Sequence, residues 1–344
     1  MNRRRASMIF LLFAFALSAC DKSPSQAPQA TSAAPGAVVK LVYIPKNTGN
    51  PYFDPLIAGF KKAAEETGCQ FATVAPDSAD ATSQLPLIKD QIQQGVSVIA
   101  ISPNSPDALN PVFEEAMQKG ISVVTVDSDL TGNEKYRNVG VLTVDPATVG
   151  SSQVELLGSL IGYKGKFAIL SATTDAPNQN AWIVVMKKTL QTDPKYKDMQ
   201  LVETVYGNDE PQKSLTEAEA LLTKYPDLRG IIAPTTVGVA AAAQAVESAK
   251  KADQVKVTGL GTPKQMRRFI KNGTVDAFAL WSPYDEGYLA GQISAQLAKR
   301  TLDPGAGLKF QAGTLGERQF RDNNVVITGP PVVFNKDNID KFDF

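Results

Sequence analysis

From Val39 onward, short apolar runs alternate with longer stretches whose apolar residues recur every three or four positions. The short runs are apolar at nearly every position, the mark of strands covered on both faces. They predict strands over 39–44, 70–74, 98–101, 122–126, 167–170, 201–205, 230–232, 255–258, 275–280 and 331–334, with a further segment near Val139. The longer stretches predict helices over 54–66, 83–94, 107–119, 149–161, 182–190, 214–225, 239–250, 264–272 and 286–299. Gly68, Gly95 and Gly120 stand just past three of these, where a left-handed residue ends a helix. Strand and helix in strict alternation predict an α/β fold with parallel sheets. The plan runs once to about residue 126 and then repeats, which predicts two doubly wound units.

The predicted strands run out into similar loops. Pro45-Lys46-Asn47, Ser102-Pro103-Asn104, Asp127-Ser128-Asp129, Pro234-Thr235-Thr236, Gly261-Thr262-Pro263 and Trp281-Ser282-Pro283 all follow strand ends. Open parallel sheets bind ligands beyond the carboxyl ends of their strands. One Pro or Ser there is a turn residue; the repetition predicts a cleft between two sheets. The stretch from Ser171 to Trp182 is the richest such loop. Its Asn178, Gln179 and Asn180 lie where a strand passes into a helix, beside free backbone N–H groups. Amides both donate and accept, which suits sugar hydroxyls. One Asn alone would read as a helix cap. Three amides in a row beside Trp182 point to binding.

Composition narrows the chemistry. The 344 residues suffice for two domains, and 35 basic residues balance 35 acidic ones, so nothing favours nucleic acid. There is no His, which removes Ser-His and Cys-His catalysis and the commonest metal ligand. Gly259-Leu-Gly261 is an isolated fragment, and no P-loop or Cys cluster occurs, so no cofactor is expected. Asp127 and Asp129 lack an evident third ligand and read as hydroxyl-binding or turn residues. At the N-terminus, Arg3-Arg4-Arg5 precedes the apolar segment 8–16, too short for a membrane span. Leu17-Ser-Ala-Cys20 follows and resembles a bacterial lipobox, which implies a signal peptide over 1–20 and acylation of Cys20. Asp21 resembles an inner-membrane retention signal. Residues 21–37 are rich in Ser, Pro, Ala and Gln and read as a flexible tether. Cys69 then has no partner within the chain and reads as a buried core residue.

Taken together, Tyr43-Ile-Pro-Lys46, Asn50-Pro-Tyr-Phe53, Thr125-Val-Asp-Ser-Asp129, Asn178-Gln-Asn-Ala-Trp182, Ile231-Ile-Ala-Pro234, Gly261-Thr-Pro263 and Phe278-Ala-Leu-Trp281 resemble the type I periplasmic sugar-binding proteins of ABC importers. The similarity lies in the branch holding rhamnose-binding and autoinducer-2-binding proteins. It implies two doubly wound parallel-sheet lobes joined by a three-crossover hinge, with crossings near 138–144, 258–262 and 281–285. It places 38–141 plus about 284–305 in the N-terminal lobe and 142–283 plus about 306–344 in the C-terminal lobe. It implies a monomeric binding lipoprotein rather than an enzyme, held in the periplasm by a lipid anchor in the inner membrane. A permease and ATPase complex would be its partners, and a chemoreceptor a further possible one. Position by position, Lys46, Asp127 and Gln179 match polar ligand contacts, Pro234 a backbone facing the ligand, and Phe53 and Trp281 aromatic walls. Two positions depart from the autoinducer-2 pattern, which has Asp at Asn178 and Ala at Thr236. Asn178 resembles the rhamnose branch, so a small neutral sugar, rhamnose or a related deoxy sugar, is expected, with autoinducer-2 or another pentose-like ligand second. A transcription regulator of the same fold would need a basic headpiece where this chain has its lipobox.

Overall fold

The computed structural model describes residues 38–344. The expected signal peptide, the acylation expected at Cys20 and the expected tether over 21–37 fall outside the described residues. Two α/β lobes account for the rest. In the first, β1 (Lys40–Ile44), α1 (Phe53–Glu66), β2 (Gln70–Thr73), α2 (Leu85–Gln93), β3 (Val98–Ile101), α3 (Asn110–Gln118), β4 (Ser122–Val126) and β5 (Val139–Leu142) follow one another. In the second come α4 (Pro146–Ile161), β6 (Lys164–Ser171), α5 (Pro177–Thr192), β7 (Asp198–Tyr206), α6 (Pro211–Lys224), β8 (Leu228–Ala233), α7 (Thr236–Ser248), β9 (Lys256–Gly259), α8 (Pro263–Lys271) and β10 (Ala277–Leu280). The chain then returns through α9 (Pro283–Ala298), the hairpin β11 (Lys309–Gln311) and β12 (Glu317–Gln319), β13 (Val325–Ile327) and β14 (Val332–Asn335).

The first sheet is parallel throughout, in the order β13-β5-β4-β3-β1-β2. Its inner strands β1, β3, β4 and β5 are buried because both faces carry helices, while the edge strand β2 is largely exposed. Leu41 and Tyr43 enter one core, Val42 and Ile44 the other, and β3 divides its residues likewise. The second sheet, β7-β6-β8-β9, is also parallel. A single bridge from Leu260 to Ala279 continues it to β10, and β14 closes that edge antiparallel.

The chain crosses between lobes three times: after β5, after β10, and between β13 and β14. Two of the expected crossings stand. Segment 258–262 does not cross, because Leu260 bridges to β10 within the second lobe. The third crossing lies instead at 328–331. The assignment of 306–344 to the C-terminal lobe is corrected by the same pairing. β13 joins the first sheet beside β5, and only β14 belongs to the second. Three-residue strands such as β11, β12 and β13 are too short to show a periodicity, and the tail reads as irregular in sequence.

Small residues bring the helices behind the cleft close together. A methyl group on Gly59 of α1 would meet the carbonyl of Tyr284, and one on Gly287 of α9 would meet that of Leu56. The two helices therefore touch backbone to backbone. In the second lobe, Gly150 of α4 lies against the carbonyl of Trp182 on α5. Cys69 is half-buried against the first core rather than fully enclosed, a free thiol beside Thr67.

Candidate binding cleft

The carboxyl ends of both sheets face one cavity, and all eight residues expected at the site line it: Lys46, Phe53, Asp127, Asn178, Gln179, Pro234, Thr236 and Trp281. Lys46 leaves β1 and is buried. Its Nζ donates to the carbonyl of Pro103 (3.0 Å) and to Ser128 Oγ (2.9 Å). Burial lowers its pKa, while Asp127 and Asp209 pull it back up. Asp127 follows β4 in the left-handed region, at φ 65°. Burial pushes its carboxyl up to about 6 against the opposing effect of Lys46.

The amide-rich stretch lies differently from its sequence reading. The helix begins at Pro177, not at Trp182, so Asn178 and Gln179 sit in its first turn. Pro fits that first position because no N–H is needed there and its φ is already helical. The sequence reading starts the helix at its first clearly apolar residue and so starts it late. Ala176 precedes the helix without a capping side chain. Asn178 Oδ1 instead accepts from the N–H of Gln179 (2.9 Å), and Asn180 Nδ2 donates to the carbonyl of Thr174 (2.7 Å). Asn178 therefore uses its two ends separately. Its oxygen serves the helix start, and its Nδ2 donates across the cleft to Asp127 Oδ2 at 3.0 Å. Gln179 stitches strand to helix: its Oε1 accepts from Ser171 Oγ (2.7 Å) and from the N–H of Ala172 (2.8 Å). Its Nε2 is bound to no protein atom among the described residues.

A second polar group faces the first. Asp209, past the end of β7 at φ 55°, is buried and accepts from the hydroxyl of Thr235 and from Asn50 Nδ2 (3.3 Å). Burial raises its pKa, and the Thr235 hydroxyl is the main influence pulling it back. Thr235 precedes α7 but gives its hydroxyl to Asp209 rather than to its own helix. Thr236 Oγ1 donates to Asn50 Oδ1 at 2.6 Å, which also accepts the N–H of Tyr52 (3.0 Å).

The apolar side of the cleft is aromatic. Trp281 meets Trp182 edge to face at 5.8 Å and Tyr52 at 6.4 Å, and Tyr52 in turn meets Phe53 at 5.2 Å. Trp281 Nε1 donates to the Tyr52 hydroxyl (2.7 Å), which donates to Glu286 Oε2 (2.5 Å). Glu286 is fully buried, and its Oε1 meets no side-chain hydrogen-bond donor among the described residues. Burial first, and Asp127 second, hold its pKa well above the carboxylate range. Asp129 plays a different part. It pairs with Arg137 through two bonds of 2.6 and 2.5 Å and braces the turn after β4.

The sequence reading missed Asp209, Asn50, Tyr52 and Glu286. The strand-end rule would have found Asp209, since Gly207-Asn208-Asp209 follows β7 as the other loops follow theirs. Asn50 and Tyr52 lie in a quoted motif of which only Phe53 was singled out. Nothing in its helical context marks Glu286. No group of His, Cys, Asp and Glu among the described residues is arranged to hold a metal ion.

The periplasmic binding protein domain model matches residues 41–301. A sugar ABC transporter structure from Actinomyces odontolyticus is 42% identical, with a TM-score of 0.71 over 89% of this chain and 98% of that one. An ABC transporter solute-binding protein from Clostridium phytofermentas, with L-rhamnose bound, is 33% identical, with a TM-score of 0.85 over the same 89% and 98%. The ribose import binding protein RbsB of Bacillus subtilis is 25% identical over 298 residues, 85% of this chain and 92% of that protein. With this fold and these relatives, the chain belongs to the periplasmic binding protein family, in the type I form shared by solute-binding proteins of sugar ABC importers.

Proposed function

We propose that the protein captures a small neutral sugar, L-rhamnose or a related deoxy sugar, by hinge closure and delivers it to an ABC permease and its ATPase. It works in the periplasm as a monomer, tethered by an acylated Cys20 to the inner membrane, and it performs no chemistry on the sugar. The observation that carries this reading is the set of hydrogen bonds across the cleft. Asp127 with Asn178, and Asn50 with Asp209 and Thr236, partner each other directly from opposite lobes. The cavity between them measures about 30 Å³. A pyranose needs several times that, so the lobes must separate to admit it. Its hydroxyls then take over partners that the lobes now supply to each other. The wall of Trp281 and Phe53 suits the C–H faces of a deoxy sugar.

Identity and superposition support the hinge, because they run in opposite order. The 42% identical structure superposes less well than the 33% identical one over the same span. A rotation of one lobe against the other lowers a whole-chain score without touching identity. Rhamnose is favoured by the sugar bound in the 33% identical relative and by Asn178 and Thr236. A thermal-shift screen over rhamnose, fucose, ribose, xylose and autoinducer-2 tests it. Rhamnose should give the largest stabilisation. A larger shift with autoinducer-2 or ribose would replace the assigned ligand, and no shift with any of them would remove the sugar reading.

A further inference from the structure

A second cavity, of about 350 Å³, adjoins the cleft. Asp127, Asn178 and Trp182 line both, so the Asp127–Asn178 hydrogen bond is the partition between them. The second cavity is also built by both lobes. Leu142, Val144, Val325 and Ile327 form its wall on one side, and Pro177 and Ala181 of α5 form it on the other. Its volume lies in the range of small-molecule sites, which begins at about 300 Å³. Its charges are settled or negative. Arg321 pairs with Asp145 at 2.9 Å, and Asp129 pairs with Arg137. Glu134 and Asp322, also at its wall, have no cationic partner among the described residues. An anionic group would therefore be repelled, while an uncharged group with an apolar face would bury surface on both walls.

We propose that this cavity is a subsite for a neutral group linked to the sugar, so that the ligands include glycosides whose second unit is an aryl group or another deoxy sugar. The proposal rests on the sugar-binding reading above. The sugar ring occupies the polar cleft, and its linked unit passes the Asp127–Asn178 partition. Leu142, Val144 and β13 form the wall beside the crossings between lobes and α5 of the second lobe forms the facing wall, so closure brings both onto the linked unit.

Titration calorimetry on the full chain decides it, with L-rhamnose, its methyl glycoside and its p-nitrophenyl glycoside as probes. The aryl glycoside should bind at least as tightly as the free sugar. Ala181→Trp fills the cavity from α5, and Ile327→Trp fills it from the opposite wall. Either should weaken the aryl glycoside by about tenfold or more while free rhamnose changes by less than about threefold. Two variants on separate elements protect the test against misfolding of one. An aryl glycoside bound about tenfold more weakly than rhamnose by the wild type would overturn the proposal, as would equal losses for both probes in the filled variants. If the wild type binds another monosaccharide instead of rhamnose, only the sugar assignment fails. The same comparison with that sugar's methyl and aryl glycosides then decides the subsite.

Discussion

The two lobes bring the same device to the cleft and surround it differently. Each presents an aspartate at positive φ beyond a strand end, Asp127 after β4 and Asp209 after β7. Asp tolerates that left-handed turn better than most residues. Each aspartate accepts from an asparagine of the other lobe, Asn178 at 3.0 Å and Asn50 at 3.3 Å. Each asparagine is oriented by a backbone N–H on its own carbonyl, from Gln179 and from Tyr52. The difference is charge. Around Asp127, Lys46 is the main influence opposing burial, and Glu286 is held above the carboxylate range partly by Asp127 itself. Around Asp209, the neutral hydroxyl of Thr235 comes before Lys46. One clasp depends on balanced charges, the other mainly on geometry, and their responses to substitution should separate.

The largest separation is expected from Asp127→Ala against Asp209→Ala. The first removes the stronger of the two carboxylate influences on the buried Lys46 ammonium, leaving it Pro103 and Ser128 as hydrogen-bond partners and Asp209 as its opposite charge. A buried charge that loses its main counter-charge costs up to about 3–5 kcal/mol, so sugar affinity should fall up to about a hundredfold or more, or folding should suffer visibly. Asp209→Ala strands only neutral donors, at roughly 1–2 kcal/mol and about tenfold in affinity. Calorimetry and thermal unfolding of both variants measure this, and matching losses would erase the distinction drawn between the clasps.

Next in size is the exchange of either asparagine for aspartate. Asn178→Asp sets a second carboxylate against Asp127, and Asn50→Asp sets one against Asp209. Each should weaken rhamnose binding by roughly 1–3 kcal/mol at neutral pH. The Asn178→Asp loss should shrink as pH falls toward Asp127's value of about 6, because one shared proton restores the hydrogen bond. Autoinducer-2 should lose less than rhamnose in this variant, since the change brings the pocket toward that ligand's pattern. A pH-independent loss, equal for both ligands, would reduce Asn178 to a helix cap.

Stability should follow pH with a definite sign. Asp127 is raised from its ordinary 3.8 to about 6 in the folded protein. Its contribution is therefore fully present below 3.8 and is lost as pH rises through about 6. Asp209 and Glu286, also raised by burial, act in the same direction. Taking pH from 7 to 5 should raise the melting temperature by about 2–4 °C from Asp127, and Asp127→Asn should flatten part of that slope. A melting temperature that falls over the same interval would contradict the burial argument.

What the sequence made legible divides along physical lines. Buried parallel strands announce themselves, because a strand covered on both faces must be apolar at every position, as at Val98–Ile101. The strand-end loops then locate the cleft, and Lys46, Asp127, Gln179 and Trp281 follow from position and resemblance. In the tail the strand near 331–334 was legible, but β13 was not, because it is three residues long and finds its sheet through a distant partner, β5. Asn178 was half legible: residue type gave its hydrogen-bonding capacity, but only the fold supplies Asp127 as its partner from 51 positions away. Glu286 was hidden because a carboxylate in a helix is ordinarily solvated. Its burial is imposed by the close contact of α1 and α9 that Gly59 and Gly287 permit.

The smallest expected effect concerns Thr236, the second departure from the autoinducer-2 pattern. Its hydroxyl donates to Asn50 Oδ1 at 2.6 Å, on the neutral side of the cleft. Thr236→Ala removes that bond but strands nothing, because Asn50 Oδ1 keeps the N–H of Tyr52. The net loss should be about 0.5–1.5 kcal/mol, or two- to tenfold in rhamnose affinity. Thr236 and Asp209 act on the same asparagine through its two ends. A double-mutant cycle of Thr236→Ala with Asp209→Ala should therefore show coupling, each change costing less once the other has freed Asn50. The corresponding cycle of Thr236→Ala with Asp127→Ala should be additive, since Asn50 is bonded only to the neutral clasp. Coupling in the second cycle but not the first would mean that Thr236 reports on the charged side. A hundredfold loss from Thr236→Ala alone would mean that its hydroxyl is itself a buried sugar contact.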